Sequence, residues 1–335
     1  MSLPVKMPQR LLVVSLGALV CLLFVASLFI GSNPLPLFQA ARESLLDNPT
    51  VVGLIFSEIR LPRALIALFT GATLGLAGAA MQGLLRNPLA SPGLIGSASG
   101  AALGAVGMLY FGLGALLPLA VPMGGMAGAL LATFLVYLMA GREAGTLTLI
   151  LAGVAINALA LALISLLLNL APSPYAVQEI VLWMMGSIAN HSLQDLWTLL
   201  PGVLLGWLLL LGTGRSLDAL TLGEETAITM GISLPRLRWR IFLAVALSVG
   251  SVVSITGSIG FVGLVVPHLL RPLVGFQPSR LLFTSALGGA ALLLAADTAT
   301  RLFPAGSDIK VGVLTSLVGA PFFLYLIIKS RRYTI

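Results

Sequence analysis

The chain has 335 residues, of which 58% are hydrophobic and 9% charged, with 18 lysines and arginines against 11 aspartates and glutamates. Soluble globular domains carry about 25% charged residues, so the composition excludes that class and fits an all-α polytopic membrane protein. The net charge of +7 decorates the ends of apolar runs instead of forming a nucleic-acid surface, and the single cysteine, Cys21, excludes an internal disulfide.

Runs able to cross about 30 Å of hydrocarbon at about 1.5 Å per residue predict ten transmembrane helices in one domain, 1–335. They lie near residues 11–30, 61–84, 94–113, 115–140, 147–170, 194–212, 241–256, 257–275, 281–300 and 311–329. The first follows Lys6 and Arg10. It is longer than the apolar core of a signal peptide and no small-residue cleavage site follows closely, so it reads as an uncleaved span. Residues 42–58, with Asp47, Asn48 and Pro49, read as a loop with one short helix.

The second span opens with Arg60-Leu61-Pro62-Arg63. Pro62 suits the first turn of a helix, which puts both arginines at the positive end of the helix dipole, a mildly unfavourable placement of about 0.3–1 kcal/mol that an acidic partner would offset. Further along, Gly71, Gly75 and Gly78, and later Gly124, Gly125 and Gly128, have the spacing that lets helix backbones approach closely. Asn87 precedes Pro88, which ends the helix in an extended residue, and Thr146 precedes the fifth span; helix capping explains Asn87 and Thr146 as well as any functional role does. The stretch 171–190, with Pro172 and Pro174, reads as irregular.

Residues 217–231 read as one compact amphipathic helix outside the bilayer. Thr221 and Glu224 stand at capping-box spacing, Glu224 and Glu225 favour the positive dipole end, and Gly231 suits a left-handed stop. Its apolar residues Leu217, Leu220, Ala227 and Met230 would cover either membrane-helix ends or a groove on a second protein. The run 257–275 is broken by glycines and by Pro267.

Placing both termini in the cytoplasm leaves only Arg42, Arg60, Arg63, Arg301 and Lys310 of the 18 basic residues outside, which obeys the positive-inside rule. Within the spans, Asp297 sits near an end, and the deep polar positions Gln82, Asn157, Ser165 and Ser254 are neutral, which is poor equipment for an ion-coupled carrier. His191 and His268 are too far apart in the chain to suggest a metal site. No phosphate-cradling G-x-x-x-x-G-K-[ST] loop occurs, so any ATP-driven transport requires a separate ATPase.

Five ordered motifs then carry a family resemblance. They are Arg60-Leu61-Pro62-Arg63, Gly71 to Gln82 running into Arg86-Asn87-Pro88-Leu89-Ala90, Leu220 to Gly231, Gly260-Phe261-Val262-Gly263-Leu264-Val265-Val266-Pro267-His268, and Gly319-Ala320-Pro321-Phe322-Phe323. Over about residues 11–330 the chain resembles the FecCD permeases, membrane subunits of type II ABC importers for ferric siderophores, haem and cobalamin. The resemblance implies a bacterial inner-membrane dimer of ten-span subunits with a second permease copy or paralogue, two cytoplasmic ATP-binding subunits and a periplasmic substrate-binding protein, without cofactor or catalytic site. A weakly polar path lined by Gly, Ala, Ser, Met and Leu would suit all three substrate classes.

By the same resemblance, Arg60, Arg63 and Arg301 meet acidic residues of the binding protein. The 217–231 helix, with Leu217, Leu220, Thr221, Gly223, Glu224, Glu225, Ala227, Met230 and Gly231, docks on the ATPase as a coupling helix, and Asn87, Leu89, Thr146 and Leu147 form the cytoplasmic gate. Two departures stand out: Asp308-Ile309-Lys310 where the family usually has Glu-Leu-Pro, and Ser91 where an acidic residue often follows Asn-Pro-Leu-Ala. A secondary carrier for a neutral solute and a receptor-like membrane protein remain as alternative readings.

Overall fold

The computed structural model describes residues 8–31, 50–141, 145–303 and 309–331, together with Pro36, Gln39 and residues 42–44. Lys6, Asp47, Asn48, Pro49, Arg142, Asp308 and Arg332 lie outside the described residues. The described chain is helical throughout: α1 Gln9–Phe29, α2 Leu61–Leu84, α3 Ser97–Tyr110, α4 Ala120–Ala140, α5 Thr146–Asn169, α6 Pro174–Met184, α7 Leu193–Leu210, α8 Thr213–Leu220, α9 Glu224–Thr229, α10 Leu234–Thr256, α11 Val262–Leu270, α12 Pro278–Thr300 and α13 Val311–Arg331. A turn at Val51–Leu54, capped by the Thr50 hydroxyl, and a π-helical turn at Ile55–Arg60 run straight into α2.

Among the described residues, seven helices are long and apolar enough to cross a membrane: α1, α2, α4, α5, α7, α10 and α12. Helix α3 and the 311–325 part of α13 are shorter apolar helices. The run 257–275, expected as a span, is helical only at Val262–Leu270. Gly257 and Phe261 both take positive φ, +69° and +65°, which ends α10 and restarts the chain as a short helix. Likewise Gly96, at φ +72°, separates the 3₁₀ turn Pro92–Ile95 from α3, so the expected 94–113 span is divided. The stretch 171–190 corrects the sequence reading in the other direction. Its prolines start a helix, with Pro174 in the first turn of α6 and the Ser173 hydroxyl accepting from Ala176 N at 3.2 Å.

Small residues decide which helices are central. α2 and α10 are each 78% buried over their most apolar window, against 22% for α1. Adding a Cβ to Gly75 would place it 2.0 Å from the Ser285 carbonyl oxygen of α12, and adding one to Gly78 would place it 1.8 Å from the Gly263 oxygen of α11. The glycines thus set backbone-to-backbone contact between α2 and its neighbours. The second set does the same between α3 and α4, where a Cβ on Gly128 would lie 2.1 Å from Gly100 O.

Chain direction defines two ends. α1, α12 and the start of α2 share one end, where Arg60 and Arg301 meet the last turn of α1. The start of α1, the end of α2 and the starts of α5, α10 and α12 share the other, called here the N-terminal face.

Candidate functional site

At the end away from the N-terminal face, one carboxylate organises two arginines. Asp297, only 1% exposed, accepts from Arg63 Nε at 3.0 and 3.1 Å and from Arg63 Nη2 at 2.9 Å, and it also pairs with Arg301 one turn along α12. Arg301 Nη1 then donates to Ser27 O at 2.7 Å and Ile30 O at 3.1 Å, while Arg60 Nη1 donates to Leu28 O and Phe29 O, both at 2.7 Å. The last carbonyls of a helix have no partner within it. Here arginines from two other elements supply the donors, closing the end of α1 onto α2 and α12. All three arginines therefore hold structural bonds: Arg60 is buried, and the side chains of Arg301 and Arg63 are 8% and 21% exposed. Asp297 was visible in the sequence only as a charge near a span end. The four-residue spacing to Arg301 was the available signal for the pair.

The N-terminal face has its own hub. Residues 217–231 do not form one helix: α8 ends at Leu220, and Gly223, at φ +111°, turns the chain before α9 begins at Glu224. Nor does the predicted capping box form. Thr221 closes α8, its hydroxyl donating to Asp218 O at 2.6 Å, and the Glu224 carboxylate turns to other elements. Glu224 Oε2 accepts from Arg238 Nη2 of α10 at 3.1 Å, Oε1 accepts from Thr146 Oγ1 at 3.5 Å, and Arg86 Nη2 lies 3.9 Å away. The two predicted groups, gate and coupling helix, thereby meet at Glu224 through Thr146. The sequence offers Arg86 only as part of a motif and Arg238 only as one of the charges around residues 217–231.

The apolar residues divide in an unforeseen way. Leu217, Leu220 and Ala227 are at most 2% exposed and pack into the chain's own core, so they are unavailable to a partner. The outward apolar side is Leu222, Ile228 and Met230, 65%, 56% and 60% exposed, with Glu225 beside them. Gly231 does take the left-handed conformation, φ +84°, as its position suggests. Asp218 fixes the pair of short helices to α12, accepting from Ser279 N at 2.8 Å and Gln277 Nε2 at 3.0 Å. Asn87 accepts from Leu89 N at 2.9 Å in a local turn, while Leu89 is 38% and Leu147 70% exposed.

Between these ends, a cavity of about 470 Å³ is lined by Met184, Met185, Ser258, Gly260, Gly312 and Ser316, among others. No group of three or more His, Cys, Asp or Glu able to hold a metal ion occurs among the described residues.

The pattern of the FecCD transport family matches residues 19–329. The chain belongs to this family. It is 39% identical over 327 residues to the hemin transport system permease HmuU of Yersinia pestis, covering 95% of this chain and 96% of that one. It is 40% identical over 302 residues to a cobalamin import system permease, BtuC, of Halobacterium salinarum, covering 89% of this chain and 80% of the relative. A solved structure described as the inward-facing conformation of an ABC transporter assigned to the metal-chelate type superposes with a TM-score of 0.82 at 34% identity, over 96% of this chain and 100% of that one. Membership in the FecCD family selects the importer-permease reading over the secondary-carrier and receptor readings. It also gives the all-helical fold its class, that of a type II ABC importer permease.

Proposed function

We propose that this FecCD-family permease forms half of the membrane channel of an ABC importer and moves a metal chelate, haem or cobalamin from periplasm to cytoplasm by alternating access. Its N-terminal face is cytoplasmic, both termini included, in a bacterial inner membrane. Two separate ATP-binding subunits press on the exposed Leu222, Ile228 and Met230 of the α8–α9 pair, and a second permease, copy or paralogue, completes the path.

The observation that carries this reading is the Glu224 hub. A load applied to α9 reaches α5 through Thr146, the α2 terminus through Arg86 and α10 through Arg238, so one displacement acts on both chain segments assigned to the gate. At the other end, Arg63 and Arg301 share one carboxylate, leaving a surplus positive charge on a rigid platform. Arg60, Arg63 and Arg301 there attract acidic lobes of a periplasmic binding protein through the field of that platform, with Arg63 the most accessible of the three.

Reconstitution in liposomes with the cognate ATP-binding subunits and binding protein tests the proposal. ATP-dependent uptake of haemin, cobalamin or a ferric siderophore is expected, with no ATP turnover from the permease alone. Uptake that needs no ATP and follows an ion gradient would overturn it.

A further inference from the structure

A cavity of about 190 Å³ opens on the N-terminal face where the end of α2 meets the start of α12, and its wall includes Gln82, Arg86, Thr221, Arg271 and Phe276. Its two guanidiniums are poorly compensated. Arg271 Nη2 donates to Gln82 Oε1 at 2.5 Å, but its buried Nε has no hydrogen-bond partner, and no carboxylate lies within ion-pair distance of it among the described residues. Arg86 has only Glu224 at 3.9 Å, and that carboxylate lies closer to Arg238, at 3.1 Å. The other acid nearby, Asp218, is taken up by Ser279 N and Gln277 Nε2.

The backbone of Arg86 adds a second observation. It follows the last residue of the α2 terminus at φ +48°, with Asn87 N donating back to Gln82 O at 3.2 Å. Glycine is the usual occupant of such a left-handed stop, so an arginine there accepts backbone strain while placing a cation on the cavity wall.

Two guanidinium forks beside an amide match the oxygens of a phosphate group. The volume of about 190 Å³ leaves room for a phosphate and the first atoms of its ester. Phe276, on the cavity wall, is 58% exposed and gives the opening an apolar edge. Basic pockets between membrane helices suit anionic headgroups. We propose that the Gln82–Arg86–Arg271 pocket binds a phosphate group, supplied by the headgroup of an anionic phospholipid. This inference does not depend on which substrate is transported.

The test compares the unmodified chain with the Arg86→Gly/Arg271→Gln double variant, purified in non-ionic detergent, by thermal unfolding against added phosphatidylglycerol, phosphatidylcholine or inorganic phosphate. Glycine suits the positive φ at position 86, and the single Arg86→Gly chain serves if the double variant fails to fold. Phosphatidylglycerol should raise the unfolding midpoint of the unmodified chain more than phosphatidylcholine does. The variant should bind phosphatidylglycerol at least tenfold more weakly, and inorganic phosphate at high concentration should compete with the lipid. Protection by inorganic phosphate alone, with none from phosphatidylglycerol, would overturn the lipid source. Equal protection by both lipids, or an undiminished phosphatidylglycerol preference in the variant, would overturn the site and return Arg271 to pairing with an acidic side chain of a partner protein.

Discussion

Replacing Asp297 with asparagine removes the one carboxylate shared by Arg63 and Arg301 while keeping its shape. Asp297 is 1% exposed and the Arg301 side chain 8%, so water cannot take over the lost charge. Breaking a buried pair by removing one partner costs about 3–5 kcal/mol, because the surviving charge stays desolvated. An unfolding entropy of roughly 2.1 cal/mol/K per residue gives ~0.7 kcal/mol/K for a chain of this length. The unfolding midpoint should therefore fall by about 4–7 °C. Scanning fluorimetry of the purified protein in detergent reads this directly. Adding Arg63→Met and Arg301→Met to Asp297→Asn should recover part of the loss, since neither cation that Asp297 held is then left without it. A fall of less than about 1 °C on the same scale would refute the claim that the carboxylate closes this end of the fold.

Three further outcomes follow from the geometry. Gly78→Ala should lower folded yield and cost about 1–3 kcal/mol or more, because its methyl would fall 1.8 Å from the Gly263 oxygen and force two backbones apart; thermal unfolding and membrane yield both report it. Glu224→Gln should cost about 1–3 kcal/mol through the weakened bond to Arg238 and should leave ATP hydrolysis by the reconstituted transporter running with little uptake; tight coupling in this variant would remove Glu224 from the relay. Gly223→Pro cannot adopt φ +111° and loses the N–H that donates to Leu220 O at 3.1 Å, so the ATP-binding subunit should no longer co-purify, as pull-down would show.

Periodicity made the long helices legible, because a run of apolar residues long enough to span a bilayer has few other fates. It failed where backbone dihedrals decide. The 257–275 run is as apolar as a span, yet positive φ at Gly257 and Phe261 limits its helix to Val262–Leu270, and nothing in side-chain hydropathy reports that. The paired helices α8 and α9 were misread for a related cause: the spacing of Thr221 and Glu224 fits a capping box, but a glycine between them turned the chain and Arg238 claimed the carboxylate. The family resemblance pointed to Arg60, Arg63, Arg301 and Thr146. The contacts of Asp297 with Arg63, 234 positions away, and of Glu224 with Thr146, 78 positions away, became visible only in the fold.

The way α1 is fastened also fixes an order of assembly. Its terminal carbonyls wait for Arg60 and for Arg301, and the latter lies 274 residues after Ser27. At about 5–20 residues per second, a ribosome needs roughly 15–55 s to make the intervening chain. During that interval α1 sits in the lipid with its Ser27 and Ile30 carbonyls still open, so a helix made early is locked in place late.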